Sequence, residues 1–349
     1  MINRSIVYAT LLVAGISTVA QAQSARDYIS IVGSSTVFPF SSTVAEQFGK
    51  SKPQFKTPKV ESTGTGGGIK LFCGGVGVQF PDIANASRRM KAGEFSECAA
   101  KGVKDSSEIK FGYDGIVIAN SKAAPQYKLT RREIYLALAK QVPSKSDPNV
   151  LENNPNTTWD QINPALPKVK IEVLGPPPTS GTRDAFVELV MESGCQNFPW
   201  LKSLKEVNER RFKQACDAIR EDGAYIEAGE NDNLIVQKLQ ANKSSLGIFG
   251  YSFLEENRNV IQGSSIEGVA PDFDDITSGR YPVSRSLYFY VKKAHVGVIP
   301  GIKEFIAEFM SPKALGEEGY LAAKGLIPLH KSEVAGARKD AADLKSLKL

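Results

Sequence analysis

Histidine is nearly absent from this chain: of 349 residues only His295 and His330 are histidines, far from each other and from every cysteine. That leaves no basis for an imidazole-rich transition-metal site and no histidine placed to activate a serine nucleophile. Cysteine is scarce as well, and none of the four stands at Cys-x-x-Cys spacing, so zinc-ribbon and dithiol redox chemistry have no framework. Beyond the N-terminus no apolar run is long enough to cross a bilayer. Charge of one sign is also missing. Lys and Arg number 43 against 38 Asp and Glu, a net +5 that is dispersed rather than striped, which argues against a nucleic-acid partner. A mild positive field still favours the approach of an anion.

What is present begins with an export signal. Arg4 precedes an apolar run over residues 6–19, and Ala20-Gln21-Ala22 supplies the small residues that signal peptidase reads. Residues 1–22 are expected to be a signal peptide cleaved after Ala22, with a membrane anchor as the competing reading. No cysteine lies nearby for lipidation, and the mature chain is expected in the periplasm. About 325 residues then remain, comfortable for two domains. In an exported chain, the spacing of Cys73 with Cys98 and of Cys195 with Cys216 predicts two disulfides.

Short β-branched stretches alternate with amphipathic ones. Strands are predicted over residues 28–32, 60–62, 83–86, 115–120, 169–174 and 286–291. Helices are predicted over 38–48, from 69 onward, over 130–140 and over 183–192. The alternation indicates an α/β protein with mainly parallel sheets flanked by helices and ligands at the carboxyl ends of strands. The last strand has the character of the first lobe, so the chain is expected to cross between lobes twice. Lobe I is then residues 23–113 and 285–349, and lobe II is 114–284.

Three loops share one design. Gly33-Ser34-Ser35-Thr36-Val37, Ser62-Thr63-Gly64-Thr65-Gly66-Gly67-Gly68 and Thr179-Ser180-Gly181-Thr182 each follow a strand and open a helix. Helix N-termini present unpaired N–H groups and partial positive charge. Glycines let the backbone approach closely, and hydroxyls add rotatable donors. Any one loop is explained by ordinary N-capping. Three together favour an anion site. A Walker loop is excluded because Gly68 is followed by Ile69-Lys70-Leu71, and the glycine spacing does not match a dinucleotide fingerprint.

These motifs, in this order, with Asp82-Ile83-Ala84-Asn85-Ala86-Ser87-Arg88, Phe111-Gly112-Tyr113-Asp114-Gly115 and Tyr281-Pro282-Val283-Ser284-Arg285, resemble the periplasmic phosphate-binding component of the phosphate ABC importer. The resemblance covers the whole mature chain. It implies a two-lobed type II periplasmic-binding fold with the ligand cleft between lobes. It also implies a monomeric receptor that hands inorganic phosphate to membrane permease subunits, with no cofactor and no catalysis. Another oxyanion, sulfate or molybdate, and a secreted phosphoryl-transfer enzyme are the alternatives.

The resemblance implies phosphate ligands at Ser35, Thr36, Val37 and Phe38 in the first loop, and at Thr65 and Gly66 in the second. Ser180, Gly181 and Thr182 follow in the other lobe. The chain departs from the family twice. Where members carry Ala-Ser-Asp, whose carboxylate accepts the phosphate proton, it has Ala86-Ser87-Arg88. Where they carry an arginine before Ser-Gly-Thr, it has Pro176-Pro177-Pro178. Arg88 and Arg183 are therefore expected to supply the positive charge, with Ser87 beside them, and Asp114 the acceptor. The plain alternative is that both arginines make surface ion pairs and Asp114 is a turn residue.

Overall fold

The structure, a computed structural model, describes residues 26–178, 180–229 and 232–349. The expected signal peptide lies outside the described residues.

The first elements form as the pattern predicts. Strand β1 (Ser30–Gly33) leads into helix α1 (Phe38–Ser51), whose Phe40, Val44, Ala45 and Phe48 are buried at helical spacing. Strand β2 (Lys59–Ser62) leads into α2 (Thr65–Phe72), and β3 (Ile83–Ala86) precedes α3 (Ala92–Ala100). Helix α2 starts four residues earlier than expected. Its three glycines look like a turn in sequence, yet they form the first helical turn. Gly68 explains why glycine is used: a Cβ there would lie 2.3 Å from Gly33 Cα, so α2 rests directly on the β1 backbone.

Strand β4 (Ser106–Ser121) is 16 residues long and changes partner partway along. From Ser106 to Gly115 it pairs antiparallel with the strand Ser284–Lys292. From Ile116 onward it pairs antiparallel with the strands Leu246–Gly250 and Ile261–Gly263. One nine-stranded sheet results. β2, β1 and β3 lie at one end, and Leu246–Gly250, Val173–Gly175 and Tyr225–Glu227 lie at the other. The expectation of mainly parallel sheets is corrected here. Parallel pairing holds at both ends of the sheet, but the two long central strands run in opposite directions because one carries the chain out and the other brings it back.

Hydrophobic side chains gather in separate cores. Val117, Ile134, Trp159, Phe186, Phe212 and Phe249 belong to one, and Ile31, Phe48, Phe111, Phe289, Phe305 and Phe309 to another. A smaller cluster around Phe72, Cys73, Cys98 and Tyr290 adjoins the second. Ile327 and Leu329 cross over to pack in the core with Val117. Tyr113 and Ile327 exchange backbone hydrogen bonds of 2.8 and 3.1 Å. Gly112 permits that approach, since a Cβ on it would lie 2.7 Å from the Leu326 side chain. The cysteines pair as expected, Cys73 with Cys98 and Cys195 with Cys216.

Helix α4 (Arg131–Leu138) carries the expected Thr130 cap, with Glu133 completing a capping box. Of the predicted strand over 169–174 only Val173 and Leu174 lie in the sheet, in a strand that runs Val173–Gly175. Helix α5 (Gly181–Phe186) runs on through five residues of π-helix, Val187–Met191, into Glu192–Cys195.

Candidate functional site

The loops after β1, β2 and β3 open on a cleft of about 900 Å³, whose far wall comes from α5, its π-helical continuation and the helices Pro199–Val207 and Glu209–Cys216. Of the residues expected to hold the ligand, Ser35, Thr36, Thr65, Gly66, Ser87, Arg88 and Arg183 line it. Val37, Phe38, Asp114, Ser180, Gly181 and Thr182 do not. Val37 is fully buried in the core and Phe38 is partly exposed, and the N–H of each donates to Ser34, that of Val37 to Oγ at 3.4 Å and that of Phe38 to the carbonyl oxygen.

In the first loop, Ser34 N–H donates to Asn85 O at 3.0 Å and Ser34 O accepts from Phe38 N–H at 3.0 Å, which pins the turn into α1. In the second, the first intrahelical bond of α2 runs from Gly68 N–H to Gly64 O. The N–H groups of Thr65, Gly66 and Gly67 therefore precede the helical ladder. Gly64 enters with φ +71°, a conformation suited to glycine. Thr65 Oγ1 accepts from Ser87 N–H at 3.1 Å and lies 3.1 Å from Ser87 Oγ, joining the second and third loops.

Across the cleft, Ser180 caps α5 by accepting from Thr182 N–H at 3.2 Å. Gly181 faces the first loop directly: a Cβ there would lie 3.3 Å from Ser35 O and 3.5 Å from Thr36 Cα. Tertiary structure thus brings together two loops separated by more than a hundred residues.

The arginines divide. Arg88 forms a two-pronged pair with Glu94, at 2.9 and 2.8 Å, while still lining the cleft. Burial opposes ionisation of Glu94, but hydrogen bonds from Arg88 and the Lys91 N–H hold its carboxyl below the ordinary value. Arg183 stacks on the Tyr225 ring at 4.4 Å and donates to Pro176 O at 3.3 Å. Burial pushes the Tyr225 hydroxyl up to about 12, and it donates to the same carbonyl at 2.6 Å.

Arg285, at the end of the Tyr281-Pro282-Val283-Ser284-Arg285 motif, is not among the ligand residues that the sequence predicts. Its side chain is only 8% exposed, and it donates from Nη2 to Thr36 Oγ1 at 2.7 Å. Asp114 lies beside it, with Nε 3.4 Å from Oδ2. Burial raises the Asp114 pKa and the charge of Arg285 offsets part of that rise. Asp217 is a second unforeseen group. It lines the cleft, burial and the nearby Glu192 charge push it up to about 7, and its buried Oδ1 has no partner among the described residues. Periodicity could not mark these two side chains, because each matters through neighbours distant in sequence.

A second cavity, of about 810 Å³, lies between Tyr251, Phe273 and the segment from Leu326 to Lys331. It shares no residue with the cleft, and its apolar floor does not suit a desolvated dianion. Among the described residues, no group of three His, Cys, Asp or Glu side chains is arranged to hold a metal ion.

Two α/β cores joined by antiparallel crossing strands, with helix-opening loops meeting in a cleft, define the type II periplasmic-binding fold. The chain belongs to the PBP superfamily, whose domain matches residues 18–313. Protein SphX of Synechococcus elongatus is 29% identical over 289 residues, covering 80% of this chain and 73% of that protein. Phosphate-binding protein PstS of Staphylococcus saprophyticus is 28% identical over 301 residues, covering 83% of this chain and 78% of that one. Among solved structures, a possible phosphate binding protein from Planctomyces limnophilus matches with TM-score 0.71 at 28% identity, over 91% of this chain and 98% of that one. An ABC-type phosphate transport receptor from Vibrio cholerae, 21% identical, shares the fold with TM-score 0.57, over 86% of this chain and 99% of that one.

Proposed function

We propose that this chain is the substrate-binding receptor of an ABC importer, capturing inorganic phosphate in the cleft and delivering it to membrane permease subunits. One observation carries the reading: the hydroxyl- and glycine-rich loops that open α1 and α2 face one cleft, and Gly181 at the start of α5 packs against the first of them, beside a buried arginine that donates to Thr36. Such groups neutralise a dehydrated oxyanion through fixed N–H and O–H donors. The relatives whose names speak of phosphate support the same reading.

In this reading the ligand is held by backbone and hydroxyl donors of Ser35 to Phe38, Thr65, Gly66, Ser87 and Ser180 to Thr182. Arg88 and Arg183 set the potential. The lobes divide at residues 113/114 and 284/285, where both crossing strands pass. Removal of residues 1–22 releases a periplasmic monomer. The relatives named as phosphate-binding proteins support binding rather than catalysis as the role.

Calorimetric titration with phosphate, sulfate, molybdate and arsenate tests this. Phosphate is expected to bind far more tightly than sulfate. Preference for sulfate or molybdate, or phosphatase activity with added divalent metal, would overturn the reading.

A further inference from the structure

Arg285 reaches both sides of the cleft. Besides Thr36 in the first loop, its Nη1 donates to Glu188 Oε2 at 2.5 Å, and Glu188 sits on the π-helical continuation of α5. Thr36 and Glu188 both line the cleft. One guanidinium therefore serves two carboxylates, Asp114 and Glu188, which leaves a net negative charge beside loops suited to an anion.

The two carboxylates differ in exposure. The Asp114 side chain is 12% exposed and fixed on a central strand, whereas that of Glu188 is 50% exposed. Glu188 can therefore turn into water with little loss, since half-exposed ion pairs contribute little.

Resting on the phosphate reading of the cleft, we propose that Glu188 is a built-in competitor for the oxyanion. The ligand takes Nη1 of Arg285 from Glu188 and the carboxylate moves to solvent. Asp114 stays behind as the fixed counter-ion. Arg285 and Thr36 then form a ligand-holding pair, and capture of the anion is coupled to release of a contact between the two sides of the cleft. Arg88 and Asp217 also lie within the electrostatic reach of Glu188. Its departure thus leaves the cleft more positive as the anion arrives.

The test is a double-mutant cycle on the full chain, titrated calorimetrically with phosphate and separately with sulfate at one ionic strength. Glu188→Gln keeps the size and removes the charge, and is expected to tighten phosphate binding roughly two- to fivefold. Arg285→Lys keeps the charge but loses the fork, and should weaken binding about tenfold or more. In the double variant the gain from Glu188→Gln should shrink, because the two residues act on one another. Unchanged or weaker binding in Glu188→Gln, or a gain fully retained beside Arg285→Lys, overturns the exchange. Thermal unfolding of each variant without added anion identifies any that merely lose stability, and Arg285→Gln then replaces a lysine variant that does not fold. If the unaltered protein prefers sulfate, the phosphate reading fails while the same cycle on sulfate still decides the exchange.

Discussion

Asp114 and Arg285 face each other in register on the two strands that connect the halves of the molecule, with Arg285 Nε 3.4 Å from Asp114 Oδ2. The position is where β4 leaves one partner for others, since Gly115 pairs with Ser284 and Ile116 already pairs with Gly250. The pairing means that the carboxylate expected to accept a ligand proton is already engaged by a cation.

Asp114→Asn should narrow the ratio of phosphate to sulfate affinity. Removing a buried negative charge favours the fully deprotonated dianion more than an anion that keeps a proton. The variant should also unfold at lower temperature, because Arg285 loses its buried counter-ion. Titration with both anions at one ionic strength checks the ratio, and an unchanged ratio would place discrimination elsewhere.

Thr182→Val should weaken phosphate binding by about tenfold or more with little change in stability. The hydroxyl is not needed for the α5 cap, which Ser180 provides. A charge-assisted hydrogen bond to an oxyanion is worth about 1.5–3 kcal/mol. Equal affinity by calorimetry would remove this hydroxyl from the site.

Gly68→Ala should destabilise the fold strongly. Its Cβ would meet Gly33 Cα at 2.3 Å and Gly33 N at 2.8 Å, both backbone atoms that cannot rotate away. Forced overpacking costs about 1–3 kcal/mol or more. Gly66→Ala is the internal control, because its nearest neighbour would be Arg88 Nη2 at 3.9 Å. Urea unfolding of the two variants should separate them clearly, and equal midpoints would contradict the close approach of α2 to β1.

Lys292 gives a pH prediction. It is fully buried, donates to Gly75 O at 2.6 Å and lies 4.9 Å from the centre of the Phe72 ring. Burial pushes its pKa down to about 8 from 10.5, partly offset by the charge of Asp82. Between those values the unfolded chain binds more protons than the folded one, so this group makes stability rise with pH across that window. Lys292→Met should abolish that part of the rise and be most stabilising, relative to the unaltered protein, below pH 8. Denaturant midpoints of both proteins across pH 7 to 10 read the difference. Parallel curves would mean that Lys292 does not titrate in this range.

Much of the fold is legible locally. β3 begins and ends where its apolar run does, and Thr130 with Glu133 marks the start of α4 as a capping box. The exceptions have local causes too. Gly66-Gly67-Gly68 reads as a turn because glycine disfavours helix, and the helix forms there because packing on β1 compensates. The opposed central strands were invisible, because strand direction depends on where the chain returns. Of the cleft, the three loops could be read as hydroxyl- and glycine-rich helix starts. The ion pairs of Arg88 with Glu94 and of Arg285 with Asp114 and Glu188 could not.

By itself, the sequence determined the alternation of strands and helices, the two cysteine pairs and the chemistry of the three loops. Each depends on residues close along the chain, through periodicity, capping and short loop closure. Tertiary structure alone decided which loops meet, which cation is buried between them and which carboxylate opposes it. Gly181 lies against Ser35 and Thr36, and Arg285 against Thr36, across separations of more than a hundred residues. Electrostatic interactions depend on distance through space and on exclusion of water, and neither is set until the two cores pack and β4 and Ser284–Lys292 pair between them.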